Sequence, residues 1–142
     1  MRKPVWLFSE GSLKRRDLLG NKGADLCEMT SFGMPVPFGF IITTQTHLEY
    51  QLLRQRIPEG TMEEVKEALL KMEIRQGAEF GNPFNPLLVS VSFGALVSLP
   101  GMMDTLLNLS INDEIVEGLA KLTTNPRFAY DTYAASCNCM GP

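Results

Sequence analysis

Apolar residues in this chain fall in short blocks whose period changes several times. Leu87 to Val91 is β-branched and nearly unbroken, which predicts a buried strand. It empties into the small residues Ser92, Gly94, Ala95 and Ser98 and then into Pro100-Gly101. That pair marks a turn, because Pro presets one backbone angle and Gly accepts a positive one. A strand ending in small side chains gives a ligand room to approach the backbone. A core strand with a tight connection explains the same residues without any ligand.

Upstream, Val5 to Phe8 predicts a short strand and Ala24 to Ser31 a short helix, with Gly33 as its C-terminal cap. Met34-Pro35-Val36-Pro37 forces extended chain, and Phe38 to Thr43 predicts a second strand. Thr44 can cap a helix from about Gln45 to Arg54. Thr61-Met62-Glu63-Glu64 has capping-box spacing, and Met62, Val65, Leu69 and Met72 form one apolar stripe on the helix that follows. Gly77 ends that helix, and Phe80 to Asn85 forms a loop. Asn112 can cap a helix from Asp113 to about Leu122. Asn125-Pro126 opens a last helix toward Ala135 whose Phe128, Ala129, Tyr130 and Tyr133 require an apolar partner. The tail from Ser136 has no periodicity.

The pattern mixes helices and strands, an α/β (α+β mixed) class, in a chain of 142 residues that can bury a real core. Apolar content of 44% and charged content of 20% are those of a water-soluble domain. A net charge of −3 leaves no basic surplus for nucleic acid. No apolar run has the length of a membrane span, and the N-terminus lacks a signal-peptide core. Cytoplasm is the default, with an organellar address on a longer precursor left open. Cys27, Cys137, Cys139 and the single His47 lack the spacing of a metal site, so no metal ligand is assigned. No nucleophilic triad or catalytic residue stands out.

Lys14, Arg15 and Arg16 form a basic patch before Gly20-Asn21-Lys22-Gly23. A Gly-Asn-Lys-Gly loop entering a helix is a candidate phosphate site, since backbone N–H groups and the positive helix end attract anions and Lys22 adds charge. It is not a P-loop, because the spaced glycine and the Ser/Thr after the lysine are missing. A helix start with a solvated lysine is the plainer explanation.

Several segments, taken together, resemble a known family. They are Phe8-Ser9-Glu10-Gly11, Leu18-Leu19-Gly20-Asn21-Lys22-Gly23-Ala24, Met34-Pro35-Val36-Pro37-Phe38-Gly39-Phe40, the run from Pro100 to Leu109 (Pro-Gly-Met-Met-Asp-Thr-Leu-Leu-Asn-Leu), Asn112-Asp113 and Arg127 to Tyr133. In order and spacing they look like the N-terminus of pyruvate, phosphate dikinase. The resemblance implies the N-terminal portion of an ATP-grasp-like nucleotide-binding domain. Residues 1–110 would be its first subdomain, 111–135 the start of a helical subdomain and 136–142 a divergent, disordered tail. In that family ATP and Mg2+ phosphorylate a histidine on a separate domain. The phosphoryl group then passes to pyruvate, giving phosphoenolpyruvate, AMP and diphosphate.

Carried over by resemblance, Lys22 matches a phosphate-binding lysine, and Gly101, Met103 and Asp104 fall in a loop folded near the nucleotide. Two departures stand out. Ser92-Phe93 replaces an Arg-Ser pair, and serine cannot supply a fixed bidentate charge. The family's Tyr-Arg-Arg-Phe is replaced by Tyr133-Ala134-Ala135-Ser136. His47 does not match the carrier histidine. The chain then reads as a fragment of the dikinase, a truncated product or an alternative transcript, short of the metal-binding carboxylates. Three outcomes follow: an ATP-binding fragment not competent alone, an interaction module that pairs with a full-length dikinase or missing domains, or a non-functional product.

Overall fold

The strand and helix signals assemble into two compact units, one formed by the described residues up to Arg75 and the other by the described residues from Gln76 onward. A computed structural model describes residues 3–92, 105–106 and 111–139. The Pro100-Gly101 turn, the small residues 94, 95 and 98, and residues 140–142 lie outside them. Helices and small sheets are mixed, consistent with an α/β class.

In the first unit β1 (Val5–Leu7) pairs antiparallel with β2 (Phe40–Ile42), Val5 opposite Ile42, Trp6 opposite Ile41 and Leu7 opposite Phe40. The Phe8 N–H to Gly39 carbonyl and Thr43 N–H to Pro4 carbonyl bonds, 3.2 and 3.0 Å, extend the ladder at both ends. Directly opposed residues share a face, so Trp6 and Ile41 point together toward α1 (Arg16–Ser31). There they pack with Phe8 and Leu13 on buried Leu19, Ala24 and Cys27. Val5 and Leu7, on the other face, line a cleft against α3 (Thr61–Gln76).

Local chemistry accounts for most helix ends. At the end of α1, Gly33 adopts φ +75°, with the Met34 N–H bonded to the Met29 carbonyl and the Gly33 N–H to the Thr30 carbonyl. That is a Schellman cap, which glycine enters without steric penalty. The α2 helix (Thr44–Leu52) is capped by Thr43, whose hydroxyl accepts the Thr46 N–H at 3.2 Å, rather than by Thr44 as expected. Thr44 instead donates to the Asp17 carbonyl. Thr61 is buried as the first residue of α3. Ala68 is buried as well, and Val65, Leu69 and Met72 of the expected stripe are half-buried, while Met62 is exposed.

In the second unit Gly77 ends α3 with φ +66°. The loop after it closes on itself: Glu79 N–H bonds to Asn85 carbonyl, Leu87 N–H to Glu79 carbonyl, and the Asn85 side chain to Gly77 carbonyl. This closure claims Leu87, so the expected buried strand from Leu87 to Val91 does not form. Only Val91–Ser92 (β3) is strand, pairing antiparallel with Thr105–Leu106 (β4), and both β3 residues are exposed. Leu87 is buried off the strand.

Helix α4 (Asp113–Thr123) starts as its cap predicts, with the Ile115 N–H donated to Asn112 Oδ1 at 2.9 Å. Asn125 caps α5 (Pro126–Cys139) by accepting the Phe128 N–H at 3.1 Å, with Pro126 first in the helix. The α5 helix reaches Cys139, past the expected end at Ala135. Its apolar partner is α4: Ile111, Ile115, Val116, Leu119 and Ala129 form the core, flanked by Leu88, Ala120 and Tyr133. The Tyr133 hydroxyl donates to Asp113. Phe128 and Tyr130 remain exposed.

Gly118 on α4 lies under the Pro83 carbonyl, where an added Cβ would overlap the oxygen. Backbone cannot give way as a flexible side chain can. Gly118→Ala is therefore expected to destabilise the second unit by about 1–3 kcal/mol, the range for overpacking. Urea melts of the two proteins check this, and a change within a few tenths of a kcal/mol would rule it out.

Candidate functional site

The five residues singled out for nucleotide binding divide as follows. Lys22 lies in the first unit and Ser92 in the second. Gly101, Met103 and Asp104 lie outside the described residues. Ser92 is exposed on β3, opposite Thr105.

Lys22 stands on a helix with a break. Gly20 within α1 has φ 74° and ψ 169°, so a short turn from Arg16 to Leu19 is followed by a second helical segment from Asn21 to Ser31. This backbone region is essentially reserved for glycine. The expected Gly-Asn-Lys-Gly loop is in fact a single non-helical glycine, and half-buried Lys22 lies in the first turn of the second segment. That turn is where a helix presents its positive end.

The neighbourhood of this turn is held from several sides. Ala24 and Cys27 are buried beneath it. A Cβ on Gly23 would meet Ile41 Cδ1 at 3.0 Å, so the segment lies directly on β2. The Thr44 hydroxyl donates to the Asp17 carbonyl at 2.6 Å, tying the start of α2 to the turn before the break. Arg16 donates to Asn21 Oδ1 at 3.2 Å and to Asp25 Oδ1 at 2.8 Å, reaching across Gly20.

The basic patch is largely committed to neighbours. The Arg15 guanidinium stands 5.5 Å from the Trp6 ring centre, with Lys3 Nζ at 5.0 Å, both within cation–π reach. His47 lies exposed on α2, its Nε2 3.1 Å from Gln51 Nε2, a surface position. Cys27 is buried; burial pushes its thiol up, and the Gly11 N–H opposes this only in part, so it is a poor nucleophile. Among the described residues no group of three or more His, Cys, Asp or Glu side chains could hold a metal ion. None of the described helices is long and apolar enough to cross a membrane.

Neither the Gly20 break nor the Arg16 contacts were anticipated. Leu18-Leu19-Gly20, an apolar pair stopped by glycine just before a polar helix start, is the signal that marks the break.

Against known proteins, no family model matches the chain. Curated relatives do. The chain is 50% identical over 137 residues to a pyruvate, phosphate dikinase of Entamoeba histolytica, covering 96% of this chain and 16% of that protein. To the Giardia intestinalis dikinase it is 56% identical over 126 residues, 89% of this chain and 14% of the relative. To the chloroplastic dikinase of Flaveria pringlei it is 46% identical over 144 residues, 99% and 15%. The relationship is to kinases of the phosphotransferase class. Along nearly all of its length the chain is related to pyruvate, phosphate dikinase, and it spans about one sixth to one seventh of the length of the relatives it matches.

In the cleft between β1 and α3, Glu10 accepts the Leu7 N–H at 2.8 Å and pairs with Lys3 Nζ at 2.9 Å. Partial burial pushes its carboxyl up, but the Leu7 N–H and Lys3 outweigh this, and its pKa lies below the ordinary carboxylate value. A carboxylate held low stabilises the fold above its unfolded pKa, and the gain is lost as pH falls through the folded one. Glu10→Gln is expected to destabilise by a few tenths to about 1 kcal/mol at neutral pH, solvent screening limiting the pair. The difference should vanish in acid. Melts at pH 7 and pH 3 check it, and a gap that persists at pH 3 would exclude the charge as cause.

Proposed function

We propose that this chain supplies part of an ATP-grasp nucleotide-binding domain of the pyruvate, phosphate dikinase type, with Lys22 meeting ATP phosphate. The observation that carries the reading is 46–56% identity to such dikinases over nearly all of the chain. The place of Lys22 supports it: a cation in the first turn of a helix suits phosphate, whose transfer needs positioned positive charge above all. By the resemblance, Gly101, Met103 and Asp104 would also belong to the nucleotide site, and Ser92 would leave it weaker than arginine would. Mg2+ would arrive with ATP, and none of the described residues is assigned to it.

The whole reaction, from ATP, phosphate and pyruvate to AMP, diphosphate and phosphoenolpyruvate, belongs on this reading to a larger assembly, and the chain is not competent alone. Its compartment is the cytoplasm or, as the names of the plant relatives suggest, an organelle. A second reading, a non-catalytic module that docks on a dikinase, is favoured by the apolar side chains left on the surface. Phe32, Leu52, Ile74 and Phe84 are each more than 70% exposed.

Isothermal titration of Mg-ATP beside a thermal melt tests the first reading. Saturable binding with a raised Tm is expected. Lys22→Ala should weaken binding about tenfold or more, as loss of a charged hydrogen bond does. A cooperative melt with no binding would set the first reading aside in favour of the second. Ser92→Arg should tighten binding; an unchanged affinity would remove position 92 from the phosphate site.

A further inference from the structure

Arg16 and Asp25 make contact at 2.8 Å although nine residues separate them. In an unbroken α-helix that spacing is about 13.5 Å along the axis, beyond the reach of an arginine. The contact exists only because the chain turns at Gly20, and it spans that turn. One guanidinium nitrogen takes Asn21, the residue that immediately follows the break, and the other takes Asp25 one turn later. Lys22 lies between the two acceptors.

Resting on the reading that Lys22 meets phosphate, we propose that Arg16 is a positioning residue: it sets the first helical turn that presents Lys22 and does not itself bind nucleotide. The two terminal nitrogens, Nη1 and Nη2, are directed at Asn21 and Asp25. The planar fork suits this task, since it holds two acceptors in one fixed geometry. Lysine, a compact charge on a flexible stem, has donors enough but fixes no such geometry. The break therefore orients the turn, and Arg16 limits how far it can swing about Gly20, whose backbone alone is permissive.

The pair is solvent-exposed, 48% and 55% by side chain, so its effect on global stability is small. Its effect on a local equilibrium at the break is where it is felt. Arg16→Ala is expected to raise amide hydrogen exchange at residues 24–26, the first of the second segment with helical acceptors, about fivefold, the equivalent of a clamp worth roughly 1 kcal/mol. Exchange at residues 27–31 and the Tm should hardly change. Mg-ATP affinity should fall by a similar factor, and Arg16→Lys should restore only part of it. In a Lys22→Gln background, Arg16→Ala should have no further effect on affinity, because the arginine acts through that lysine.

Asp25→Asn, which keeps Arg16 and removes only its charged partner, should reproduce the exchange change if Arg16→Ala folds poorly. Unchanged exchange at residues 24–26 in both variants would overturn the proposal. So would an affinity loss that persists in the Lys22→Gln background. If the unaltered chain binds no Mg-ATP while exchange still rises in Arg16→Ala, the nucleotide reading falls and the clamp across Gly20 stands.

Discussion

A two-stranded antiparallel ribbon does not hold together in water without something packed against it. The first unit therefore depends on how closely α1 and the loop before it approach the β1–β2 pair. Close packing of helix, loop and ribbon is possible because three positions carry no Cβ. An added Cβ would stand 2.5 Å from Cys27 Sγ at Gly11, 3.0 Å from Ile41 Cδ1 at Gly23, and 2.6 Å from the Phe8 ring at Gly39. The buried set is small, Leu19, Ala24 and Cys27 with Trp6, Phe8, Leu13 and Ile41 around it. With so few side chains, short distances rather than bulk supply the dispersion contacts. The second unit repeats the device once, where α4 passes under the Pro83 carbonyl at Gly118.

What could be read from the chain follows from the range of each interaction. Gly33, Asn112 and Asn125-Pro126 act within three to five residues of themselves, and each ends or starts a helix as its chemistry predicts. Thr43 and Thr44 are chemically equivalent as caps, so only the tertiary pairing of Thr44 with Asp17 decides between them. The Leu87 run failed for a related reason. Its composition suits a strand, but Pro86 and the hydrogen bonds that close the loop from Glu79 claim its first residue. On α3 apolar periodicity marks the half-buried Val65, Leu69 and Met72 but passes over buried Thr61, a polar residue.

The candidate site divides along the same line. A lysine at a helix start is visible in sequence because the whole motif is four residues long. The Arg16 contacts are not, since pairs on a helix are sought three or four residues apart and these lie five and nine apart. The basic patch illustrates the cost of reading charge without geometry. Three adjacent cations suggest an anion site, yet Arg15 faces Trp6 and Arg16 turns to its own chain. The resemblance to dikinases is legible over most of the chain because it rests on short segments in order and spacing, which require no knowledge of contacts.

Surface ion pairs contribute little each, so the rigidity of the Lys22 turn cannot come from Arg16 alone. Burial of Leu19 and Ala24 fixes the depth of the two segments on either side of Gly20. Contact of Gly23 with Ile41 fixes where the second segment lies on the ribbon, and the Thr44–Asp17 bond fixes the first. These restraints act on both arms and leave the torsions at Gly20 as the remaining freedom. Arg16 acts on that freedom, at the one position where a weak interaction has the most leverage. On the proposed function, Lys22 would gain affinity for phosphate by losing little entropy on binding. The architecture supplies that condition through the packing of a small core and adds a single polar contact to complete it.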